Sequence, residues 1–131
     1  MSGRLIPAPV GPNAEFYAYL ARGELRLQRC ESCGLWRHPP RHRCAACGSA
    51  DVAWAAASGR GRLFSWTVTH RPVDPAFTPP YAVVVVELDE GPRLVGNVRE
   101  IEPAALALDL PVVVEIEPVS DTVGLLWFRP E

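Results

Sequence analysis

The sequence predicts a mainly β protein, built as an N-terminal helix, a zinc ribbon and then a five-stranded OB-fold barrel. Three observations carry this. Two Cys-x-x-Cys-Gly stretches, RCESCG at 29–34 and RCAACG at 43–48, flank a short basic segment. From Arg62 onward the chain reads as strand after strand, five in all, with a small helical stretch between the third and fourth. Pro makes up 14 of 131 residues, about twice the usual ~5%, which argues against long helices and for short strands with stiff connections.

Taken in order, residues 1–12 read as an extended arm interrupted by Pro7, Pro9 and Pro12. Asn13 can cap a helix that Gly23 ends. Phe16, Tyr19 and Leu20 fall at i, i+3 and i+4, and Tyr17 widens that apolar face. A helix of about ten residues is marginal alone, so it must dock on this chain or on a partner. Residues 24–59 form the ribbon, in which Val52 and Trp54 alternate as in a strand, and residues 60–131 form the barrel. In 62–70, Phe64, Trp66 and Val68 are expected on one face, packed in the core. The Pro-rich stretch 71–80 is a loop, and 81–90 is a buried strand ending in a hairpin turn at Asp89-Glu90-Gly91. Segment 92–98 follows, 102–109 is expected as a short helix, and 111–119 and 124–130 are the last two strands. A β-sandwich fragment is the architectural alternative.

The metal site is the sharpest motif. Cys30, Cys33, Cys44 and Cys47 form Cys-x2-Cys-x10-Cys-x2-Cys. Each Cys-x-x-Cys-Gly turn aims two sulfurs at one point, and the Gly lets the backbone double back. Two such knuckles supply four thiolates in a tetrahedron. Four protein ligands leave no open position, so the metal is structural; a rubredoxin-type iron site would use the same ligands. His38 and His42, between the knuckles, are expected as exposed loop residues. With Arg37, Arg41 and Arg43 they would make a basic knob beside Trp36 that either contacts phosphate or is merely solvated.

Charge and composition exclude several functions. All 13 basic residues are Arg, so Schiff-base chemistry and a phosphate-loop lysine are absent. Residues 1–60 carry eight Arg against four acids, a net +4, and residues 61–131 carry five Arg against eleven acids, a net −6. An acidic barrel repels a polyanion, which weakens a nucleic-acid reading in which Phe64, Trp66 and Tyr81 would be stacking platforms. His70 with Asp74 hints at acid–base work, but no nucleophile elbow, Gly-rich phosphate loop or His-Glu-x-x-His run accompanies them. The start MSGRLIPAPVGPN lacks an apolar run of signal-peptide length, so a cytoplasmic, non-membrane protein is expected.

Several motifs in fixed order resemble a known family. The runs GELRLQRCESCGLWRHPPRHRCAACGS, SGRGRLFSWTVTHRP and PPYAVVVVELDEGPRLVGNV, with the closing FRP, are similar to the zinc-ribbon plus OB-fold acyl-CoA-associated proteins, domain-of-unknown-function family thirty-five. The resemblance spans about Asn13 to Pro130. It implies a one- or two-helix arm, a rubredoxin-like zinc ribbon and a C-terminal OB barrel, with Cys30, Cys33, Cys44 and Cys47 holding one structural zinc. It also implies a small partner subunit of thiolase-like enzymes, steroid side-chain aldolases among them, in a hetero-oligomer that helps bind acyl-CoA. The family offers no catalytic residue to transfer. Phe16-Tyr17 stands where an aromatic pair with Trp is common. On this reading Phe16, Tyr17, Tyr19 and Leu20 are candidates for partner docking. Arg60, Arg62, Arg71, Arg99 and Arg129 are candidates for the CoA phosphates. The runner-up is a single-stranded nucleic-acid-binding ribbon and OB module.

Overall fold

A computed structural model describes residues 5–131. The helix α1 spans Pro12–Ala21. It begins two residues earlier than the Asn13 cap predicts, because Pro12 takes the first helical position, where its missing N–H costs nothing. Gly11, at φ 60°, turns the chain into it without a side-chain cap. The other end is a Schellman closure around Gly23. The Gly23 and Glu24 N–H groups donate to the Leu20 and Tyr19 carbonyls at 2.9 and 3.0 Å.

Strands β1 (Arg26–Cys30), β2 (Trp36–Arg37) and β3 (Val52–Ala56) form an antiparallel ribbon sheet in the order β2-β1-β3. Strands β4 (Arg60–Thr69), β5 (Tyr81–Leu88), β6 (Arg93–Val98), β7 (Pro111–Pro118) and β8 (Gly124–Pro130) close a barrel in the order β4-β5-β6-β8-β7. The β6–β8 pairing is parallel, and β4 meets β7 to complete the ring. This is the five-stranded OB arrangement. The short helix expected over 102–109 is a single 3-10 turn at Pro103–Ala105, between β6 and β7.

Two strands depart from the expected pattern. In β4, Leu63 faces Val86 and Ser65 faces Val85, so Phe64 is a bulge with no opposite residue. The bulge shifts the alternation by one. Leu63 goes into the core, and Phe64 is turned out, 45% exposed. There the Arg93 guanidinium covers its ring at 3.7 Å. Phe64 is therefore not a core residue, whereas Trp66 does pack partly against the core. Strand β5 is buried on one face only. Ala82, Val84, Val86 and Leu88 point inward, each 4% exposed or less.

A single apolar cluster joins the three parts. Phe16 and Leu20 of α1, Leu25 and Leu27 of the ribbon, and Leu63, Val84, Val86, Leu94, Val112 and Phe128 of the barrel all belong to it. Burying each such side chain contributes roughly 1.5–3 kcal/mol. Neither ribbon nor barrel has chain enough for a comfortable core, and sharing one answers that shortage. Among the described residues, no helix is long and apolar enough to cross a membrane.

Candidate metal centre and its surroundings

The two knuckles are built alike. In the first, the Gly34 N–H returns to the Cys30 carbonyl at 2.9 Å and the Cys30 N–H reaches the Leu35 carbonyl at 2.9 Å. In the second, Gly48 to Cys44 and Cys44 to Ser49 repeat both bonds at 2.9 Å. Gly34 and Gly48 sit at φ 78° and 77°, the left-handed region that side chains avoid. The Arg before each first Cys also repeats. Arg29 Nε donates to the Gly34 carbonyl at 2.9 Å, and Arg43 Nη1 to the Gly48 carbonyl at 3.0 Å. The shared Arg-Cys-x-x-Cys-Gly run is therefore one structural unit used twice, locked across the gap by the Ser32–Ser49 hydroxyl bond at 2.9 Å.

This construction gathers the four sulfurs within 4.8 Å of one another. Cys30 and Cys47 stand 3.6 Å apart, and Cys33 and Cys44 3.7 Å. A tetrahedron with Zn–S bonds near ~2.3 Å has sulfur–sulfur edges of about 3.8 Å, so the cage fits zinc. A disulfide needs sulfurs at ~2.05 Å, and no pair here approaches that. Backbone N–H groups of Cys47 and Ala46 stabilise the Cys44 thiolate and bring its pKa down to about 6. Those of Cys33 and Ser32 lower that of Cys30. The Ser49 amide also favours the Cys47 thiolate, but the crowding sulfurs, Cys30 foremost, outweigh it and push Cys47 up to about 11. Cys30 and Cys44 are buried while Cys33 and Cys47 are exposed. The ribbon thus holds one structural zinc, with all four positions filled by protein.

The segment between the knuckles is not the basic knob the sequence suggests. Arg37 is buried, 8% exposed. Its Nε donates to Gln28 Oε1 at 2.7 Å and its Nη2 to the Arg41 carbonyl at 3.0 Å. Gln28 Oε1 also accepts the Arg41 N–H at 2.7 Å. These bonds pin the loop to β1. Sequence reading missed Gln28, since a polar residue within RLQRC carries no mark of burial. His38 is half-buried rather than exposed, its ring 4.7 Å from that of Phe16. Burial pushes its pKa down to about 4, which leaves it neutral. Arg41, His42 and Arg43 remain exposed as expected.

The docking candidates divide. Phe16 and Leu20 are buried in the chain's own core, whereas Tyr17 and Tyr19 are half-buried. Tyr19 lies against Trp54 at 5.7 Å and carries the Arg22 guanidinium at 4.8 Å. Phe16, Tyr17 and His38 face Val95, Asn97 and Leu126 across a cleft of about 220 Å³ between helix, ribbon loop and barrel.

The five candidate Arg residues fall into three groups. Arg60, exposed at the start of β4, pairs with Glu131. Arg99 and Arg129 are held by acids on the outer face of β7. Arg99 lies 3.8 Å from Glu115 and 3.7 Å from Glu117, and stands over the Trp127 ring at 4.1 Å. Arg129 lies 3.2 Å from Glu115 and 3.9 Å from Glu100. Arg62 and Arg71 are exposed and, among the described residues, pair with no acid.

Residues 18–53 match the family model described as "ChsH2, rubredoxin-like zinc ribbon domain", and residues 54–117 match "ChsH2, C-terminal OB-fold domain". A "Probable enoyl-CoA hydratase alpha subunit" of Thermomonospora curvata is 40% identical over 95% of this chain. The chain spans only 39% of that subunit's length. A "DUF35 domain-containing scaffold protein" of Pyrococcus furiosus is 32% identical over 78% of this chain and 79% of its own. A chain in the solved structure titled "Ltp2-ChsH2(DUF35) aldolase" superposes with a TM-score of 0.87. It is 40% identical, over 95% of this chain and 98% of that one.

Proposed function

Because this chain belongs to the DUF35 family of ChsH2-type zinc-ribbon and OB-fold proteins, we propose that it is a non-catalytic auxiliary subunit. It docks on a thiolase-like or aldolase partner and helps that partner bind acyl-CoA. One observation carries this reading: the 0.87 TM-score match, at 40% identity, to nearly the whole of a chain in the solved structure described as "Ltp2-ChsH2(DUF35) aldolase". The local chemistry agrees with it. All four Cys are gathered at the metal site, and no nucleophile motif in the sequence accompanies His70 and Asp74. Arg62 and Arg71, free of acids among the described residues, are the cations best able to meet the CoA phosphates. Arg60, Arg99 and Arg129 must first leave a carboxylate.

The experiment is a pull-down with the tagged, zinc-loaded chain against a thiolase-like or aldolase protein encoded beside it. A stoichiometric complex that takes up acyl-CoA supports the reading. Capture of single-stranded nucleic acid in a salt-sensitive manner, with no such enzyme, overturns it.

A further inference from the structure

The side chain of Gln28 is buried, 3% exposed, yet only one end of its amide is occupied. Oε1 accepts from Arg37 Nε and from the Arg41 N–H, each at 2.7 Å. Both of those groups are donors, so the amide cannot be turned over, and Nε2 lies at the other end. Nε2 donates to nothing among the described residues, but it is not sealed from solvent as Arg37 Nη1 and His38 Nδ1 are. Gln28 lines a cleft of about 530 Å³ between the start of α1 and the ribbon. Its Nε2 is therefore a fixed, unoccupied donor in that cleft.

The charges around the amide select its acceptor. Gly11 and Pro12 line the cleft and bring the N-terminus of α1 to it. No side chain caps that helix, and its dipole presents the positive end. Arg41 and His42 also line the cleft, and the exposed Arg41 guanidinium pairs with no acid among the described residues. Behind the amide, Arg37 is 8% exposed, its Nη1 finds no acceptor, and no acid among the described residues pairs with it. A guanidinium buried without a counter-charge is costly. Its bond to Oε1 polarises the amide and strengthens Nε2 as a donor. Glu15 is the one acid lining the cleft. Two guanidinium groups and a helix N-terminus against one carboxylate favour an anion. Ala50, Val52 and Trp54 supply an apolar wall, with the Trp54 ring braced by Tyr19 at 5.7 Å.

We propose that this cleft binds a small organic oxyanion, a phosphate or carboxylate group carried on a flat apolar body. The oxyanion accepts from Gln28 Nε2 and pairs with Arg41. Across the Gln28 amide it supplies the negative charge that Arg37 lacks. The body lies against Trp54 and Val52. A volume of about 530 Å³ falls in the ~300–1,000 Å³ range of small-molecule sites. Neither the zinc thiolates nor Arg62 and Arg71 take part, so the site stands apart from the enzyme-partner reading and is tested on the chain alone.

The test is an NMR titration of the full, zinc-loaded chain with phenyl phosphate, benzoate and inorganic phosphate. Gln28 is the only glutamine in the chain, so its side-chain amide reports the oxyanion without ambiguity, and the Trp54 indole reports the body. We expect both signals to move and saturate with phenyl phosphate or benzoate, the tighter of the two naming the oxyanion. Inorganic phosphate, which lacks the ring, should bind about tenfold more weakly. Gln28→Glu sets a carboxylate against Arg37 and removes the donor, so the loop stays pinned. Read at the Trp54 indole, the organic anions should then bind about tenfold more weakly or not at all. Arg41→Ala keeps the backbone N–H that holds Oε1 and should weaken them about fivefold. Should Gln28→Glu fail to fold, Arg41→Ala decides. A Gln28 amide that none of the three anions moves, affinities untouched by Arg41→Ala, or equal affinity for inorganic and phenyl phosphate overturns the proposal.

Discussion

Leu20 and Gly124 are in backbone contact: a Cβ added at Gly124 would stand 2.4 Å from the Leu20 carbonyl carbon. Helix α1 can sit on β8 only because residue 124 has no side chain. That approach brings Phe16 and Leu20 into the same core as Phe128. Gly124→Ala must push the helix off the barrel, because the obstacle is backbone rather than a flexible side chain. The expected cost is about 1–3 kcal/mol. Thermal or urea unfolding of the variant would measure it, and an unchanged midpoint would mean the helix is not fixed there.

His38 links stability to acid. Its folded pKa of about 4 lies below the ordinary value of 6.5, because burial against Phe16 disfavours the imidazolium. The unfolded chain therefore binds the proton more readily. The stability contributed by the neutral ring is fully present above about pH 6.5 and falls away as pH drops toward 4. The expected loss is on the order of 2–3 kcal/mol. Zinc release from the thiolates also destabilises in acid, so the informative quantity is the difference from His38→Phe. The variant should show a flatter dependence between those two pH values, and parallel curves would refute the assignment.

Zinc removal should unfold the ribbon first and weaken the barrel second. Metal binding is folding energy in such a site, and Leu25 and Leu27 lend the ribbon's side chains to the common core. Chelation at neutral pH should therefore abolish the cooperative transition of the ribbon and lower that of the remainder. Circular dichroism with zinc quantification would follow both. An unaltered melting curve in the metal-free protein would show that the thiolates are dispensable.

Arg62 and Arg71 should matter more to acyl-CoA than Arg129 does. The first two have no acidic partner among the described residues, whereas Arg129 lies 3.2 Å from Glu115. With the partner present, Arg62→Ala combined with Arg71→Ala should weaken acyl-CoA binding about tenfold, and less so at high salt. Arg129→Ala should change it little. Calorimetric titration compares the three proteins, and equal affinities would remove Arg62 and Arg71 from the site.

The parts of this fold legible in the sequence are those whose chemistry is local. Two Cys three residues apart followed by Gly must form a knuckle, so Cys30, Cys33, Cys44 and Cys47 announce the metal by spacing alone. The five barrel strands are legible from alternation and from turn residues such as Asp89-Glu90-Gly91. What escaped depends on neighbours distant in the chain. A one-residue bulge at Phe64 leaves no trace in a hydrophobic pattern, yet it turns that ring from core to surface. The burial of His38 requires Phe16, and that of Arg37 requires Gln28. Arg99 and Arg129 read as free cations until β7 brings Glu115 and Glu117 beside them.

The proposed role of this chain is to assist an acyl-CoA enzyme without catalysing the reaction itself. Reconstitution tests it most directly: acyl-CoA turnover by the thiolase-like or aldolase partner, measured with and without the zinc-loaded chain, beside the chain alone. The predicted result is turnover that depends on adding the chain, with no turnover by the chain alone. Turnover by the isolated chain, or a partner indifferent to its presence, would rule out an auxiliary role.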